Sequence, residues 1–261
     1  MTTSDRSEPR VVLISGAASG IGAATARRFL REGWHVARNH LDESQREAAE
    51  QIVVQVNVPG TRSFTIEGDV TRDADCVRLV ERTVEKFGRL DALVNAAGIS
   101  KMVAHPDLHG VSAEDFQRIY AVNTIGTFQM MRAAAPHLKA TGKGSIVNIS
   151  SRAALMGSGS SIPYAASKAA VNALTLALAR VLAPEVRVNA VCPALVEQGF
   201  VERLAPESFA KRRAHQIDVS PLHRIGHPDE VAETIYWLTT GASMMTGAIV
   251  ELDFGMHLNA V

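Results

Sequence analysis

The sequence predicts an α/β fold, a single doubly wound domain in which helices flank a seven-stranded parallel sheet on both faces. Short apolar runs rich in β-branched residues alternate with longer segments of helical periodicity along the chain. This alternation favours parallel pairing, because each strand returns through a helix. The length of 261 residues suits one large core, and no break in composition divides the chain. We expect a flexible segment over residues 1–9 and one folded domain over residues 10–261.

Each element is assigned from its periodicity and its boundary residues. Strands are predicted at residues 11–14, 35–37, 63–66, 92–94, 145–149, 186–191 and 248–252. Helices are predicted at residues 21–32, 42–55, 73–87, 112–139, 163–182, 202–215 and 229–240. Residues typical of helix starts are Asp73, Ser112 and Asp229. Glycines typical of helix ends are Gly33, Gly88 and Gly241.

Charge and cysteine content narrow the class of partner. Lysine plus arginine and aspartate plus glutamate number 27 each, so the chain lacks the basic surface typical of proteins that bind nucleic acid or anionic membranes. Cys76 and Cys192 lie far apart within apolar or helical segments, which is typical of reduced thiols in the cytoplasm. The first ten residues lack the apolar segment of a signal peptide, and no run of eighteen apolar residues follows. We expect a cytoplasmic protein whose partners are small molecules.

A glycine-rich turn follows the first predicted strand and precedes the first helix. Its sequence is Ser15-Gly16-Ala17-Ala18-Ser19-Gly20-Ile21-Gly22. Gly16 suits the tight turn, Gly20 lets a pyrophosphate approach the backbone, and Gly22 lets the helix pack on the strand. The amides of Ser19, Gly20 and Ile21 would then face the phosphates. Tight turns also need glycine for steric reasons alone, but the position after strand one favours dinucleotide binding.

A tyrosine and a lysine one helical turn apart form a second candidate site. Tyr164 and Lys168 follow Pro163, which suits the first turn of a helix, so their spacing places both side chains on one face. A phenol has a pKa of ~10, and a neighbouring ammonium stabilises the phenolate and lowers that pKa. With the hydroxyl of Ser151, thirteen residues upstream, these groups could donate a proton to a carbonyl. The alternative is an ordinary helix with a surface lysine and a half-buried tyrosine.

Several motifs together resemble the short-chain dehydrogenase/reductase family and, within it, the 3-oxoacyl-carrier-protein reductases. They are the glycine turn, the run Asn95-Ala96-Ala97-Gly98, Asn123, Ser151 and the pair Tyr164 and Lys168. The resemblance extends from residue 11 to residue 258. It implies a Rossmann-type fold and hydride transfer between a nicotinamide dinucleotide and a carbonyl or alcohol carbon, with the chemistry carried largely by the cofactor. The domain over residues 10–261 would both bind the dinucleotide and carry catalysis.

The resemblance also implies catalytic roles. Ser151 would hydrogen-bond the substrate oxygen, Tyr164 would act as general acid or base, and Lys168 would lower the pKa of the phenol and hold the nicotinamide ribose. Asn123 would hold a water that relays protons to Lys168. Ser150 competes with Ser151, but the family's thirteen-residue separation from serine to tyrosine selects Ser151.

Two further matches concern the adenosine half of the cofactor. By the same resemblance Asp69, with Val70 beside it, would contact the adenine ring. The loop Asn95-Ala96-Ala97-Gly98 would lie under the adenosine ribose. The alternatives are that Asp69 only caps a turn and that Asn95 only satisfies backbone groups at a strand end.

The sequence departs from the family pattern after the sixth strand. The family usually has Pro-Gly followed by a threonine that binds the nicotinamide carboxamide. Here Pro193 is followed by Ala194, and Gln198 replaces the threonine. Gln198 keeps donor and acceptor groups, and the backbone of Val196 could contact the carboxamide. We expect binding through Pro193, Val196 and Gln198 to persist with altered geometry.

The end of the second strand bears on the choice between NADP and NAD. A carboxylate there would bind the ribose hydroxyls of NAD and repel the 2′-phosphate of NADP, but the position is His40. Strand alternation places Arg38 and His40 on one face, with Asn39 between them, and an arginine in an apolar strand indicates an anion. NADP is therefore favoured, with NAD as the alternative if Asp42 turns back to the ribose. The other interpretation of Arg38 is a solvent-facing charge.

The residues around the predicted site favour a small carbonyl or alcohol substrate with an apolar portion. Arg152 and Leu195 flank this site, and Arg152 either meets an anionic group or is a solvated loop arginine. The histidines show no spacing typical of a metal site, so no metal is expected. Family likeness implies a homotetramer that uses the helices over residues 112–139 and 163–182. The competing function is a non-catalytic dinucleotide-binding regulatory or scaffold protein, which has no need of the full catalytic set.

Overall fold

A computed structural model of the chain describes residues 9–54, 56 and 58–259. Its strands are β1 (Val11–Ser15), β2 (His35–His40), β3 (Ser63–Glu67), β4 (Ala92–Asn95), β5 (Gly144–Ile149), β6 (Val186–Pro193) and β7 (Ile249–Leu252). They form one sheet in the order β3-β2-β1-β4-β5-β6-β7, and every neighbouring pair is parallel. The seven predicted strands are therefore confirmed. Of the flexible segment predicted over residues 1–9, all but Pro9 lies outside the described residues.

Helices cover both faces of the sheet, as predicted for a doubly wound fold. They are α1 (Gly20–Arg31), α2 (Arg46–Val54), α3 (Asp73–Phe87), α4 (Ala113–Tyr120), α5 (Thr127–Ala140), α6 (Ala153–Met156), α7 (Ile162–Leu182), α8 (Phe200–Leu204), α9 (Pro206–Val219) and α10 (Pro228–Thr240). The helix predicted over residues 42–55 begins instead with a 3-10 turn at Glu43–Gln45. The helix predicted over residues 202–215 is divided into α8 and α9, because Pro206 opens a new helix.

Alternate residues of the central strands point to opposite faces and build two apolar layers. Leu13 and Leu93 are fully buried in the layer formed with α3, α5 and α7. Val12 and Val94 are fully buried in the layer formed with α1 and α10. Both faces of each strand are apolar for this reason, which explains why the strands appear in the sequence as continuous apolar runs.

The helix boundaries follow capping chemistry, with one correction. Ser112 begins α4 with a capping box: its Oγ accepts from the amide of Asp115, whose carboxylate accepts from the amide of Ser112. Gly88 ends α3 in the left-handed conformation. The cap of α10, however, is His227 and not Asp229, because the imidazole Nδ1 of His227 accepts from the amide of Asp229. The sequence rule identified the right turn but the wrong capping residue.

The helix predicted over residues 112–139 is interrupted. Ala121–Gly126 form a π-helical segment between α4 and α5. Within it the side chain of Asn123 is fully buried; Nδ2 donates to the carbonyl of Ile99 and to Oγ of Ser167, and Oδ1 accepts from the amide of Ile99. A wider turn at this point lets a helical asparagine bond groups outside its own helix.

The longest described helix, α7, is apolar on more than one face. Within the described ranges it is the one helix long and apolar enough to cross a membrane by length and composition, a test that buried core helices also pass. It packs against β6, and it carries both Tyr164 and Lys168. Leu176 and Val181 on its outer side are 40% and 65% exposed, so part of its apolar surface is uncovered in the single chain.

Candidate active site

A large cavity opens at the carboxyl ends of the central strands. The sheet grows outward in both directions from β1 and β4, so the loops that follow these two strands diverge to opposite faces. In open parallel sheets ligands bind in the crevice at this point. The cavity volume is about 1150 Å³. Pockets that hold small-molecule ligands measure roughly 300–1,000 Å³, so this cavity is large enough for a sizeable ligand such as a dinucleotide.

The glycine turn forms one wall of this cavity. Gly16 and Gly20 have left-handed backbone with φ of 63° and 53°. A Cβ on Gly22 would lie 2.3 Å from the carbonyl oxygen of Gly16, so α1 can approach the turn this closely only with glycine there. Ser19 begins α1 without a side-chain cap, which leaves the first-turn amides for another acceptor. This wall fits the pyrophosphate of a dinucleotide.

Three polar side chains meet on another wall. Tyr164 and Lys168 are only 7% and 5% exposed, and both line the cavity. Nζ of Lys168 donates to the carbonyl of Ile149 at 2.8 Å and lies 5.9 Å from the centroid of the Tyr164 ring. The side chain of Ser151 hydrogen-bonds that of Tyr164. The predicted convergence of serine, tyrosine and lysine is therefore present, and the alternative of a surface lysine is wrong.

Burial has the largest effect on the pKa values of Tyr164 and Lys168. It raises the pKa of Tyr164 to about 12, although the hydrogen bond from Ser151 acts in the opposite direction. It lowers the pKa of Lys168 to about 8. The sequence predicts that Lys168 lowers the pKa of the phenol, but removal of the phenol from water has the larger effect on that pKa. At neutral pH the phenol therefore holds its proton.

Neighbouring side chains hold the backbone that carries these groups. Oγ of Ser150 donates to the carbonyl of Lys168 at 3.1 Å, the local role expected for the competing serine. Oγ of Ser167 donates to the carbonyl of Tyr164 at 2.8 Å and accepts from Nδ2 of Asn123 at 3.0 Å. The Asn123 amide is thus occupied by protein groups, and its part in a water relay stays a prediction.

Most of the predicted site residues line the same cavity. They are Gly16, Ser19, Gly20, Ile21, Asn39, Asp69, Val70, Ala96, Ala97, Gly98, Ser151, Arg152, Tyr164, Lys168, Pro193, Leu195, Val196 and Gln198. Asn95 lies behind the wall, where its Nδ2 donates to Oδ1 of Asn148. Asp69 lines the cavity and also accepts from the amide of Thr71, so the turn-capping alternative holds as well.

Gln198 lines the cavity in a loop that lies next to the glycine turn. Its backbone is left-handed with φ of 55°, and its amide donates to the carboxylate of Glu202 at 2.6 Å. Nε2 of Gln198 lies 3.2 Å from Nε2 of His227. Its carbonyl oxygen would be 3.5 Å from a Cβ on Gly20, so this loop closes over the glycine turn. Carboxamide binding by Gln198 stays a prediction.

Comparison with known proteins decides the family. The family model described as enoyl-(acyl carrier protein) reductase matches residues 16–257. The chain is 39% identical to a Streptomyces violaceoruber protein named as ketoacyl reductase 2 of the granaticin polyketide synthase, over 97% of this chain and 98% of that protein. A solved chain from Burkholderia xenovorans, described as a short-chain dehydrogenase/reductase, superposes with a TM-score of 0.89 at 41% identity, covering 97% of this chain and all of that one. The chain belongs to the short-chain dehydrogenase/reductase family.

Relatives within this family differ in the substrates that their names give. Bovine L-fucose dehydrogenase is 34% identical to the chain, over 99% of this chain and 93% of the bovine protein. The family membership makes the chain an oxidoreductase that acts on CH–OH or C=O groups and uses a nicotinamide dinucleotide. It leaves open which dinucleotide and which substrate.

The structure corrects the prediction for the end of β2 in this short-chain dehydrogenase/reductase. Arg38 and His40 share a face, as alternation requires, but both are 2% exposed and neither lines the cavity. Nε of Arg38 donates to Oγ of Ser63 at 2.8 Å, and Nη1 has no hydrogen-bond partner among the described residues. Nδ1 of His40 lies 2.9 Å from the carbonyl of Asp42. Arg38 is therefore neither at the predicted phosphate position nor solvent-facing. Strand alternation shows which residues share a face of the sheet, but it does not show whether that face meets the ligand.

Asn39, the residue between them, has a structural role that the sequence did not reveal. Its Nδ2 donates to the carbonyls of His40, Ile66 and Gly68, and its Oδ1 accepts from the amide of Gly16 at 3.2 Å. The side chain thereby ties the glycine turn to the ends of β2 and β3. It also lines the cavity, so bracing and cofactor contact are compatible.

Helix α9 contributes cavity residues that sequence reasoning missed. Arg212, His215 and Gln216 line the cavity from this helix, and Met256 does so from the C-terminal segment. His215 and Gln216 follow Arg212 by three and four positions, which places all three on one helical face. That spacing was the available signal, but the sequence alone does not show that this face turns back to the cavity.

Arg152 lines the cavity and is paired with a residue of an acidic cluster near the C-terminus. Nε of Arg152 lies 3.4 Å from Oδ2 of Asp253, which is buried, so Arg152 is an ion-paired arginine and not a solvated one. Glu251, Asp253 and His257 place possible metal-ligand atoms within 4.8 Å of one another. Nδ1 of His257 lies 3.0 Å from Oδ1 of Asp253, so the imidazole and the buried carboxylate are already paired with each other.

Proposed function

We propose that this chain transfers a hydride between a nicotinamide dinucleotide, NADP in preference to NAD, and a small carbonyl compound or secondary alcohol, with Tyr164 as the general acid or base. One observation carries the proposal: buried Tyr164, hydrogen-bonded by Ser151 and followed one turn later by Lys168, lines the same cavity as the glycine turn. The family's reaction class is consistent with this arrangement.

The residues would divide the work as follows. When bound, the dinucleotide supplies or accepts the hydride. Ser151 would orient the substrate oxygen towards Tyr164, which holds its proton at neutral pH and would donate it during reduction. Lys168 would stabilise the phenolate that forms. The glycine turn would hold the pyrophosphate. Gly98 lines the cavity beside the ammonium group, since a Cβ placed on it would lie 3.5 Å from Nζ of Lys168.

The preference for NADP has a narrower basis than the sequence indicated. The cavity wall at the end of β2 consists of Asn39, Leu41 and Gln45 and carries no carboxylate among the described residues. Asp42 accepts from the amide and the hydroxyl of Ser44. Without a carboxylate to repel a 2′-phosphate, NADP is accepted, but Arg38 adds nothing to its binding. Titration with NADPH and NADH in parallel tests this, and tighter binding of NADH would overturn it.

Assembly and location form a second part of the proposal. Family likeness and the partly uncovered apolar side of α7, with Leu176 and Val181, support a homotetramer in which this helix packs against another copy. Cys76 and Cys192 are both free and buried, which supports a cytoplasmic protein without disulfides. Sedimentation of the purified chain tests the assembly, and a monomer at micromolar concentration would contradict it.

Substitution of Tyr164 by phenylalanine tests the catalytic assignment. We expect turnover of a panel of neutral ketones and aldehydes to fall by roughly 10³-fold, while the Kd for NADPH changes less than threefold. Tyr236→Phe is the matched control, because the hydroxyl of Tyr236 lies near Glu32, outside the cavity. Unchanged turnover in Tyr164→Phe would refute the assignment. Absence of turnover in the unsubstituted chain with every carbonyl would favour the regulatory or scaffold alternative.

A further inference from the structure

Helix α9 is fixed beside the substrate end of the cavity. Ser208, Arg212 and Gln216 are four residues apart and share one face of the helix. Gln216 is 4% exposed, and its Oε1 accepts from the amide of Leu195 at 2.9 Å. This bond joins α9 to the loop that follows β6, so the position of Arg212, one turn earlier, is also fixed.

Arg212 is held by a loop that runs beside the ring of Tyr164. Its Nη2 donates to the carbonyl of Gly159 at 3.1 Å, and its Nε donates to Oγ of Ser208 at 3.2 Å. Gly159 runs beside the ring of Tyr164, because a Cβ on Gly159 would lie 3.8 Å from Cδ1 of that ring. Gly159 therefore lies between the guanidinium group of Arg212 and the ring of Tyr164.

In the part of the chain that the structure describes, the charge of Arg212 has no acidic partner. Both groups that accept from it are neutral, and across the described residues no carboxylate oxygen lies within 4.0 Å of its guanidinium. Arg152 differs, since Asp253 pairs with it. The acidic residues that line the cavity within the described ranges are Asp69, which follows β3, and Glu197. The cavity beside Tyr164 thus has an uncompensated cation in a partly buried position, where charge-assisted bonds are stronger than in open solvent.

We propose that Arg212 binds a carboxylate on the substrate, which makes the substrate an oxo acid or the corresponding hydroxy acid. A guanidinium matches a carboxylate in shape and charge, and two atoms of Arg212, Nη2 and Nε, are already oriented by Gly159 and Ser208. The inference rests on the proposed function and specifies its substrate class.

The reaction leaves the carboxylate unchanged. In the direction of reduction the oxo carbon would gain one hydride, which the reduced dinucleotide would supply when bound and so be oxidised, and the oxo oxygen would gain one proton from Tyr164. The product is a hydroxy acid. Arg212 takes no part in this transfer; it would fix the far end of the substrate so that the oxo group reaches Tyr164 and Ser151.

A matched pair of substrates tests the inference. The kinetic constants for 4-oxocyclohexanecarboxylate and for its methyl ester are measured with the unsubstituted chain, Arg212→Gln, Arg212→Lys and Arg213→Gln. Arg213 is an exposed neighbour that does not line the cavity. We expect the unsubstituted chain to prefer the acid by about tenfold or more in kcat/KM, and Arg212→Gln to lose about 10- to 100-fold on the acid, mainly through KM. The ester should change less than threefold, Arg212→Lys should recover part of the loss, and Arg213→Gln should change neither.

Equal losses on acid and ester would show that Arg212 only clamps α9 to Gly159, and this would overturn the inference. Absence of any preference for the acid in the unsubstituted chain would do the same. If Arg212→Gln folds poorly, inhibition of cyclohexanone reduction in the unsubstituted chain decides, with tighter inhibition by cyclohexanecarboxylate than by cyclohexanecarboxamide expected.

A separate binding measurement distinguishes failure of this inference from failure of the proposed function. Calorimetry with the NADP-loaded chain should show that cyclohexanecarboxylate binds and that its affinity falls in Arg212→Lys. This result is expected even if no ketone is reduced. Turnover of neutral ketones without carboxylate binding would overturn the anion site and leave the proposed function intact.

Discussion

Lys168 and Arg38 are two buried cations with different places in the molecule. Lys168 is 5% exposed on the cavity wall and donates to the carbonyl of Ile149, whereas Arg38 is 2% exposed within β2 and donates to Oγ of Ser63. Burial lowers the pKa of Lys168 to about 8 and that of Arg38 to about 10. Their burial and bonding are similar, and only Lys168 lines the cavity. In this chain a buried cation indicates function only where its side chain reaches the ligand space.

Arg38 lies near the end of β2, where it supports the fold instead of lining the ligand space. Asn39, which ties the glycine turn to the ends of β2 and β3, gives the strongest test of this supporting role. Asn39→Ala removes the side-chain donor from three carbonyls, of which that of His40 keeps the amide of Gly68, and it removes the side-chain acceptor of the Gly16 amide. We therefore expect a loss of about 3 kcal/mol in the free energy of unfolding, measured with urea. Asn39→Asp should lose at least as much, because its carboxylate would face the three carbonyl oxygens. A loss below about 1 kcal/mol in both variants would contradict the bracing role.

The cost of burying Lys168 can be measured through pH. Lys168→Met should be more stable than the unsubstituted chain at pH 7, by on the order of 2 kcal/mol, because it removes a buried charge. The pKa of Lys168 is about 8 in the folded chain and ordinarily 10.5. Between these two pH values the folded chain binds fewer protons than the unfolded chain. The stability of the unsubstituted chain therefore rises with pH, and the stability difference from Lys168→Met closes. Urea unfolding across this range measures the effect. A difference that stays constant with pH would contradict the lowered pKa.

The smallest expected effects are changes in NADPH binding. They distinguish Leu41, which lines the cavity, from Arg38, which is buried near the same end of β2. Leu41 lines the cavity and is 48% exposed, so Leu41→Arg should tighten NADPH binding by about tenfold through a charge-assisted bond to the 2′-phosphate. NADH binding should be nearly unchanged. Arg38→Met should alter the Kd for NADPH by less than about threefold, the size of a surface substitution. A tenfold loss in Arg38→Met would mean that Arg38 reaches the phosphate after all.

The sequence predicted those features that depend on local pattern. The alternation of strands and helices is visible along the chain, and the four-residue spacing of Tyr164 and Lys168 places them on one face of whatever helix forms. The direction of Arg38 could not be predicted in this way, because it depends on which side of the sheet meets the ligand. Arg212 was missed since the chain must reverse to bring α9 to the cavity. The raised pKa of Tyr164 depends on burial by residues distant in sequence.

The π-helical segment Ala121–Gly126 determines how α5 is rotated about the helix axis relative to α4. An α-helix turns about 100° per residue, so an extra residue in a wide turn changes the direction in which the following side chains point. With this extra residue α4 and α5 each keep their own side buried, and Asn123 points to Ser167. Removal of one residue here would restore regular turns and rotate either Asn123 away from Ser167 or Met130 out of the core. The number of residues in this segment is therefore as constrained as their identity, although nothing in its composition marks it.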